Sequence, residues 1–279
     1  MRRDFTVNAI ALALTGPARG RLQAAPGAID DLRRGLLSVL HDHSFEDDPT
    51  RLVRLARYRA RLGFAITPDT LALAPPRIGN ELRAVMREED PVAAFAALDE
   101  LGIDAAIDAG LGLSEDDRPL AARALELLPG DGRADLETLA VAARRMSVKA
   151  LAELLDRLAF EAADRDVVVI AATCSEALAR RLASARRPSE IWAAVAGGGV
   201  ELVALAGALG ASAPAQAWIE RLRYVALKID GGDLIAAGLG QGPAVGAGLR
   251  AALAAALDGE ADGRERQLEI ALRAARRTG

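Results

Sequence analysis

Two short stretches hold the residues best suited to chemistry. The first is Arg2-Arg3-Asp4-Phe5-Thr6-Val7-Asn8-Ala9. Its two guanidiniums can hold phosphates. Asp4 can accept from a ribose hydroxyl, and the Asn8 amide can both donate and accept. Phe5 and Val7 are spaced to point into a core. The same residues also fit a charged N-terminal cap. The second stretch is Phe45-Glu46-Asp47-Asp48-Pro49-Thr50-Arg51-Leu52-Val53-Arg54. Asp48 and Arg51 are three apart and share a face if the segment is helical. A carboxylate that accepts and a guanidinium that donates can present a fixed edge to a base. The same spacing also fits a surface ion pair at a helix start, which is worth little.

Arg51, Arg54, Arg57 and Arg61 follow with a 3-3-4 spacing and no acid among them, and so line one stripe of a helix. Uncompensated arginines repel one another, which favours an anionic partner. Arg144-Arg145, Arg180-Arg181 and Arg186-Arg187 are further basic clusters able to meet phosphates. His41 and His43 alternate around Asp42 on one side of an extended segment, without a third ligand at metal spacing. Trp192 and Trp218 read as core anchors and Cys174 as a small core residue.

The elements that must position these residues are helical. Hydrophobic residues make up 51% of the 279 residues, but aromatics only 3%. Ala, Leu, Arg and Glu dominate, and these are strong helix formers. The pattern predicts helices near 77–88, 91–101, 118–128, 134–144, 147–160, 164–183, 188–196, 199–209, 214–227, 231–237, 243–257 and 263–277, and one from Pro49 to Leu62 that stops at Gly63. Before residue 45 the chain reads differently. Thr6 to Leu14 is a candidate helix, 21–24 and 36–40 are short strands, and 29–35 is a short helix. Two short strands cannot carry a core alone. The net charge of −4 does not advertise nucleic-acid binding, although local patches outweigh the sum. One cysteine excludes an internal disulfide framework. The purest apolar run, Val167 to Ala172, is far too short to span a bilayer. A cytoplasmic protein without membrane contact is expected.

Arg2 to Ala9 resembles the RRDFTxNA motif of class II tRNA nucleotidyltransferases and bacterial poly(A) polymerases. Asp47 to Arg54 resembles their EDxxRxxR motif. Between them, Pro26-Gly27-Ala28-Ile29-Asp30-Asp31-Leu32 with Gly35 resembles the segment DPxGGxxDLxxGxL, keeping one of its two glycines. Pro76-Arg77-Ile78-Gly79-Asn80-Glu81-Leu82 resembles ERIxxEL. Ile229-Asp230-Gly231-Gly232-Asp233-Leu234 and Gly242-Pro243-Ala244-Val245-Gly246 resemble the GxDLxxxGxxxGPxxG signature of the family's tail. The likeness runs from residue 2 to about 270 and is weakest between about 103 and 220.

The resemblance implies a mainly α fold, with an elongated helical neck, body and tail behind a truncated α/β head remnant. The divisions fall at 1–45, 46–102, 103–212 and 213–279. It implies that Asp48 and Arg51 select CTP and ATP over GTP and UTP. Arg3, Asp4 and Asn8 would hold ribose and phosphates, and Arg54 would support the triphosphate or the reading pair. Asp47, Arg77 and Glu81 would brace the neck, while Arg57, Arg61, Asp233 and Gly242 would serve tRNA binding. The implied reaction is untemplated CCA addition to the tRNA 3′ end.

In this family a DxD pair after a GGxVRD turn, both upstream of RRDFTxNA, holds Mg²⁺ that activates the primer hydroxyl. No such segment occurs among these residues, so neither catalytic nor metal-binding residues are assigned. An N-terminally truncated form is expected, one that keeps nucleotide selection and tRNA binding but not catalysis. The alternatives are a non-catalytic RNA-binding module paired with a separately encoded catalytic head, a degenerate scaffold, or a poly(A) polymerase relative. Ala74-Pro75-Pro76 stands where neck helix is expected.

Overall fold

The computed structural model describes residues 4–48, 51, 54–55, 58–59, 62–73, 75–100 and 103–277. The fold is mostly helical, as composition predicts. It divides into two compact units, Met1–Gly112 with Ser147–Asp166, and Leu113–Met146 with Val167–Gly279.

In the first unit a 3-10 turn at Thr6–Asn8 leads into strand β1, Ile10–Leu12. The expected helix from Thr6 to Leu14 is therefore not formed. The apolar residues there suit either period over so short a run, and antiparallel pairing of β1 with β2, Leu22–Ala24, decides for strand. Helix α1 follows at Ala28–Arg34, then strand β3, Leu36–Leu37. Strand β3 pairs in parallel with β4, Ala65–Ile66. The first core of this unit is Phe5, Leu37, Phe45 and Leu55, with Val7, Val39, Tyr58 and Phe64 packed on it. Phe5 and Val7 thus point inward, as their spacing predicts.

Helix α2, Ser44–Asp47, ends at Asp48, whose backbone is extended. Helix α3 follows; its described residues are 51, 54, 55, 58, 59 and 62. It stops at Gly63, whose φ of +67° suits the one residue without a Cβ. The Gly63 N–H closes the end on Arg59 O at 2.9 Å. Helices α4, Pro68–Leu73, and α5, Pro75–Val85, come next. The two prolines there open α5 instead of breaking it, because a first-turn proline lacks only an N–H that has no partner anyway. Helices α6, Pro91–Glu100, α7, Ile103–Ile107, and α10, Val148–Arg157, complete the unit. Gly79 of α5 meets the turn after α10 so closely that a Cβ there would lie 1.9 Å from Leu158 O.

In the second unit, α8, Arg118–Leu127, and α9, Ala134–Ala143, pack with α13, Val200–Ala206. Residues 135–143 of α9 are all buried. Helix α11 is Ala162–Ser184, and its residues from 167 on lie here with α12, Pro188–Val195. Helix α14, Ser212–Glu220, continues from α13 through a π turn at Gly207–Ala211. The stretch Val200–Tyr224 is long and apolar enough to cross a membrane, longer than the run marked from sequence. Its side chains, among them Leu202, Val203, Ala215 and Trp218, build the core of this unit. The last helices are α15, Gly231–Ala236, α16, Pro243–Leu257, and α17, Arg264–Ala275, around Ile229, Leu234, Ala252 and Ala271. Trp218 is a core anchor as expected, whereas Trp192 is 38% exposed. Cys174, expected inside, is exposed on α11.

Candidate functional site

The residues singled out near the N-terminus and on α3 meet around one carboxylate. Asp4, at the entrance to the Thr6–Asn8 turn, accepts from Arg54 Nε at 2.7 Å, and Arg54 Nη2 lies 2.6 Å from the same oxygen. Arg51 Nε lies 3.7 Å from its other oxygen. Asn8 Nδ2 is 3.4 Å from Asp4 Oδ2 and 3.2 Å from the Tyr58 hydroxyl. The Asp4 side chain is only 14% exposed. Its bonds and charge hold the Arg54 guanidinium above the ordinary arginine range. The arginine stripe is therefore compensated at its first two members. Spacing along one helix could not reveal an acid 50 residues away.

Asp48 and Arg51 do stand together, though not as two residues inside one helix. The extended Asp48 accepts the Arg51 N–H at 3.1 Å and so opens α3 through its carbonyl. Its carboxylate reaches within 4.0 Å of Arg51 Nε. Arg51 is 7% exposed. Its Nη1 donates to Ser44 O at 3.0 Å, whereas its Nε is buried without a hydrogen-bond partner. Asn8 Oδ1 is likewise buried and without a partner. One unmet donor and one unmet acceptor thus flank the same carboxylate. Groups of that kind are costly unless a ligand or water satisfies them.

Two links hold this arrangement in place. Thr6 Oγ1 donates to Asp31 Oδ2 at 2.7 Å, tying the first motif to α1. Phe5 and Tyr58 meet edge to face, with centroids 5.7 Å apart. Tyr58 also lies under the Arg54 guanidinium at 5.9 Å. Tyr58 was not among the sequence-derived candidates. It follows Arg54 by four residues and Arg51 by seven, the same helical face, so the spacing could have found it.

Asp47 lies on α2, with a carboxylate oxygen 3.6 Å from His41 Nε2. His43 pairs with Glu46 at 2.9 Å, and that bond and charge raise its pKa. His41 and His43 sit in a turn, each beside its own acid, and not along an extended segment. Glu81 is exposed on α5. The bracing contacts visible there belong to Arg83, which lies 4.5 Å over the Phe160 ring and donates to Ala159 O at 3.4 Å. Arg3, Arg57, Arg61 and the side chain of Arg77 lie outside the described residues.

In the second unit, Asp233 joins Asp230 in a reciprocal cap of α15 and accepts from Arg264 of α17. Gly242 precedes Pro243 at the start of α16. Both shape the C-terminal helices. Arg144 and Arg145 are committed inward: both bind Asp117, whose side chain is wholly buried. Arg181 donates to Ala193 O at 3.3 Å, and Arg187 lies 3.4 Å from Asp258.

Among the described residues, no three His, Cys, Asp or Glu side chains come together as a metal site. The Asp164–Asp166 pair lies on α11, with Arg165 bound to Asp166 at 2.9 Å.

No protein-family model matches the chain. An A-adding tRNA nucleotidyltransferase of Halalkalibacterium halodurans is 38% identical over 117 residues, 37% of this chain and 27% of that protein. A CC-adding tRNA nucleotidyltransferase of Deinococcus radiodurans is 42% identical over 110 residues, 36% of this chain and 29% of that protein. In structure, the Thermotoga maritima CCA-adding enzyme complexed with tRNA aligns at a TM-score of 0.59 and 24% identity, over 98% of this chain and 72% of that one. Over about a third of its length the chain is thus similar to curated tRNA nucleotidyltransferases, and it shares its fold with a CCA-adding enzyme. The match spans under a third of the curated relatives' length. The mainly helical fold that the resemblance implied is the fold observed.

Proposed function

We propose that the chain performs the nucleotide-selecting and tRNA-binding share of tRNA 3′-end CCA addition. The observation that carries this reading is the pair of buried, unpartnered groups beside Asp4, a donor on Arg51 and an acceptor on Asn8, with the Asp48 carboxylate 4.0 Å from Arg51 Nε. Cytosine and adenine each present an amino donor beside a ring-nitrogen acceptor. Uracil and guanine present a carbonyl beside an N–H. An acceptor set next to Arg51 Nε suits the first pair and opposes the second. ATP and CTP are the substrates on this reading, and tRNA is the partner of the C-terminal helices that Asp233 and Gly242 shape.

The phosphoryl-transfer step is not assigned to these residues, because the GGxVRD turn with its DxD pair does not occur among them. Separate A-adding and CC-adding relatives leave both partial activities within reach of the same scaffold. Equilibrium binding of the four nucleoside triphosphates tests the proposal. CTP and ATP are expected to bind in preference to UTP and GTP, and a tRNA lacking its 3′ end to bind with strong salt dependence. Equal affinity for all four would reject base selection. Incubation with that tRNA, CTP, ATP and Mg²⁺ is expected to give no extension by this chain alone, and measurable extension would overturn the division of labour. Extension only on addition of a separate head would instead favour a two-chain enzyme.

A further inference from the structure

We propose that Tyr58 is a positioning residue of this site: its hydroxyl fixes the side-chain amide of Asn8, and its ring holds Arg54 over the core. The consequence for ligand binding rests on the nucleotide reading above; the Tyr58–Asn8 link does not.

Asn8 Oδ1 is the buried acceptor without a partner, so what matters is which way its amide faces. Asp4 is a carboxylate that only accepts, and it requires the amide –NH₂ on its side. Yet the Asn8–Asp4 contact is 3.4 Å, at the long end for a hydrogen bond. The contact to Tyr58 is the shorter one, at 3.2 Å. Asp4 is already occupied by two contacts from Arg54, so Tyr58 is the acceptor best able to hold the second amide proton. With both protons directed to Asp4 and Tyr58, Oδ1 is left aimed away from them.

The ring does separate work. It belongs to the Phe5, Leu37, Phe45 and Leu55 core through its edge contact with Phe5. It also lies under the Arg54 guanidinium at 5.9 Å, within cation–π range. Tyr58 thus fastens a residue from the N-terminal turn and a residue of α3 to the same packed cluster. An arrangement held this way needs little reordering when a ligand arrives.

Tyr58→Phe is the informative variant, because it keeps the ring, the Phe5 contact and the Arg54 contact and removes only the hydroxyl. Side-chain amide resonances of the ¹⁵N-labelled chain, assigned with Asn8→Ala, read the link directly. The expected result is a shift of the Asn8 amide signal in Tyr58→Phe with the melting midpoint nearly unchanged. CTP and ATP affinity should fall about fivefold, as for loss of one neutral hydrogen bond. In the Asn8→Ala background, Tyr58→Phe should cost no further affinity. An unmoved Asn8 signal would overturn the proposal, as would an equal affinity loss with and without Asn8 or a collapse of the fold. A wild-type chain that binds neither nucleotide would sink the nucleotide reading, while the amide signal would still decide the role of Tyr58.

Discussion

Asp4 and Arg54, 50 residues apart, are joined by a hydrogen bond from Nε at 2.7 Å and an ion-pair contact from Nη2 at 2.6 Å. This pair turns two separate motifs into one site, since Asp4 also borders Arg51 and Asn8. Asp4→Asn keeps the shape of the side chain but removes its charge. The variant should melt several degrees lower and bind nucleotide more weakly, because Arg54 loses its counter-charge and one of the two acceptor oxygens becomes an –NH₂ donor beside arginines. An unchanged thermal midpoint in a melting scan would contradict this role.

Asp48 has a narrower task. Its carbonyl starts α3, and any residue can supply a carbonyl; its carboxylate is what accompanies Arg51 Nε. Asp48→Ala should therefore fold normally and lose base discrimination. The affinity ratio of CTP or ATP over UTP or GTP should fall about tenfold or more, the scale for one paired hydrogen-bond contact to a base edge. Competition binding with all four triphosphates measures it. A preserved ratio would remove Asp48 from its assigned role.

Much of this site was legible in sequence because its members cluster in two short motifs. Asp48 and Arg51 announce each other by spacing, and Gly63 ends α3 where a glycine should. The Asp4–Arg54 bond was not legible, since periodicity compares neighbours on one element and this bond joins two. The same limit hid the ion pairs of Arg144 and Arg145 with Asp117, 27 and 28 residues away in sequence. The Thr6–Leu14 helix failed because strand pairing with Leu22–Ala24 outweighs local propensity. Most helices between 118 and 275 were placed within a few residues because they are periodic and bounded by Gly, Pro or Asp, whereas the one expected over 214–227 ends at Glu220.

Gly79 tests the packing that supports the first unit. A Cβ at this position would meet Leu158 O at 1.9 Å, and backbone atoms of both partners must move to admit it. Gly79→Ala should destabilise this unit by about 1–3 kcal/mol despite the better helix propensity of alanine, since overpacking costs that much. Chemical denaturation checks the sign. A more stable variant would mean that α5 and the turn after α10 separate readily.

Asp117 holds Arg144 and Arg145 from a fully buried position. Burial alone pushes its carboxyl upward, but hydrogen bonds from Arg145, Ser114 and Arg144 outweigh that and hold it below the usual carboxylate range. A depressed folded-state pKa gives stability that is present above the unfolded value, about 3.9, and lost as pH falls. Asp117→Asn should cost about 1–3 kcal/mol at neutral pH. It stays below the full cost of breaking a buried pair because the Arg144 and Arg145 side chains remain 26% and 52% exposed and can rehydrate. The wild-type advantage over the variant should therefore shrink as pH falls through this range, as the Asp117 carboxylate is protonated. A stability gap that stays constant into strong acid would rule out the linkage.

Glu137 carries the opposite sign. It sits among the buried residues 135–143 of α9, with no exposed surface and no hydrogen-bond partner on either oxygen. Burial first, and the Glu201 carboxylate second, raise its pKa well above the ordinary glutamate value. Glu201 is itself engaged by the Arg133 N–H at 3.0 Å. The folded chain thus keeps a proton that the unfolded chain releases above about pH 4.3. Stability is full below that value and declines as pH rises toward the raised folded pKa, by at most about 1.4 kcal/mol per pH unit. Glu137→Gln puts a neutral amide of the same shape in the same place at every pH. Its denaturation free energy should be nearly flat across that window, while wild type slopes downward and becomes the less stable of the two at alkaline pH. Parallel curves for the two proteins would show that Glu137 ionises without cost, which a carboxylate in that surrounding can do only if water enters beside α9.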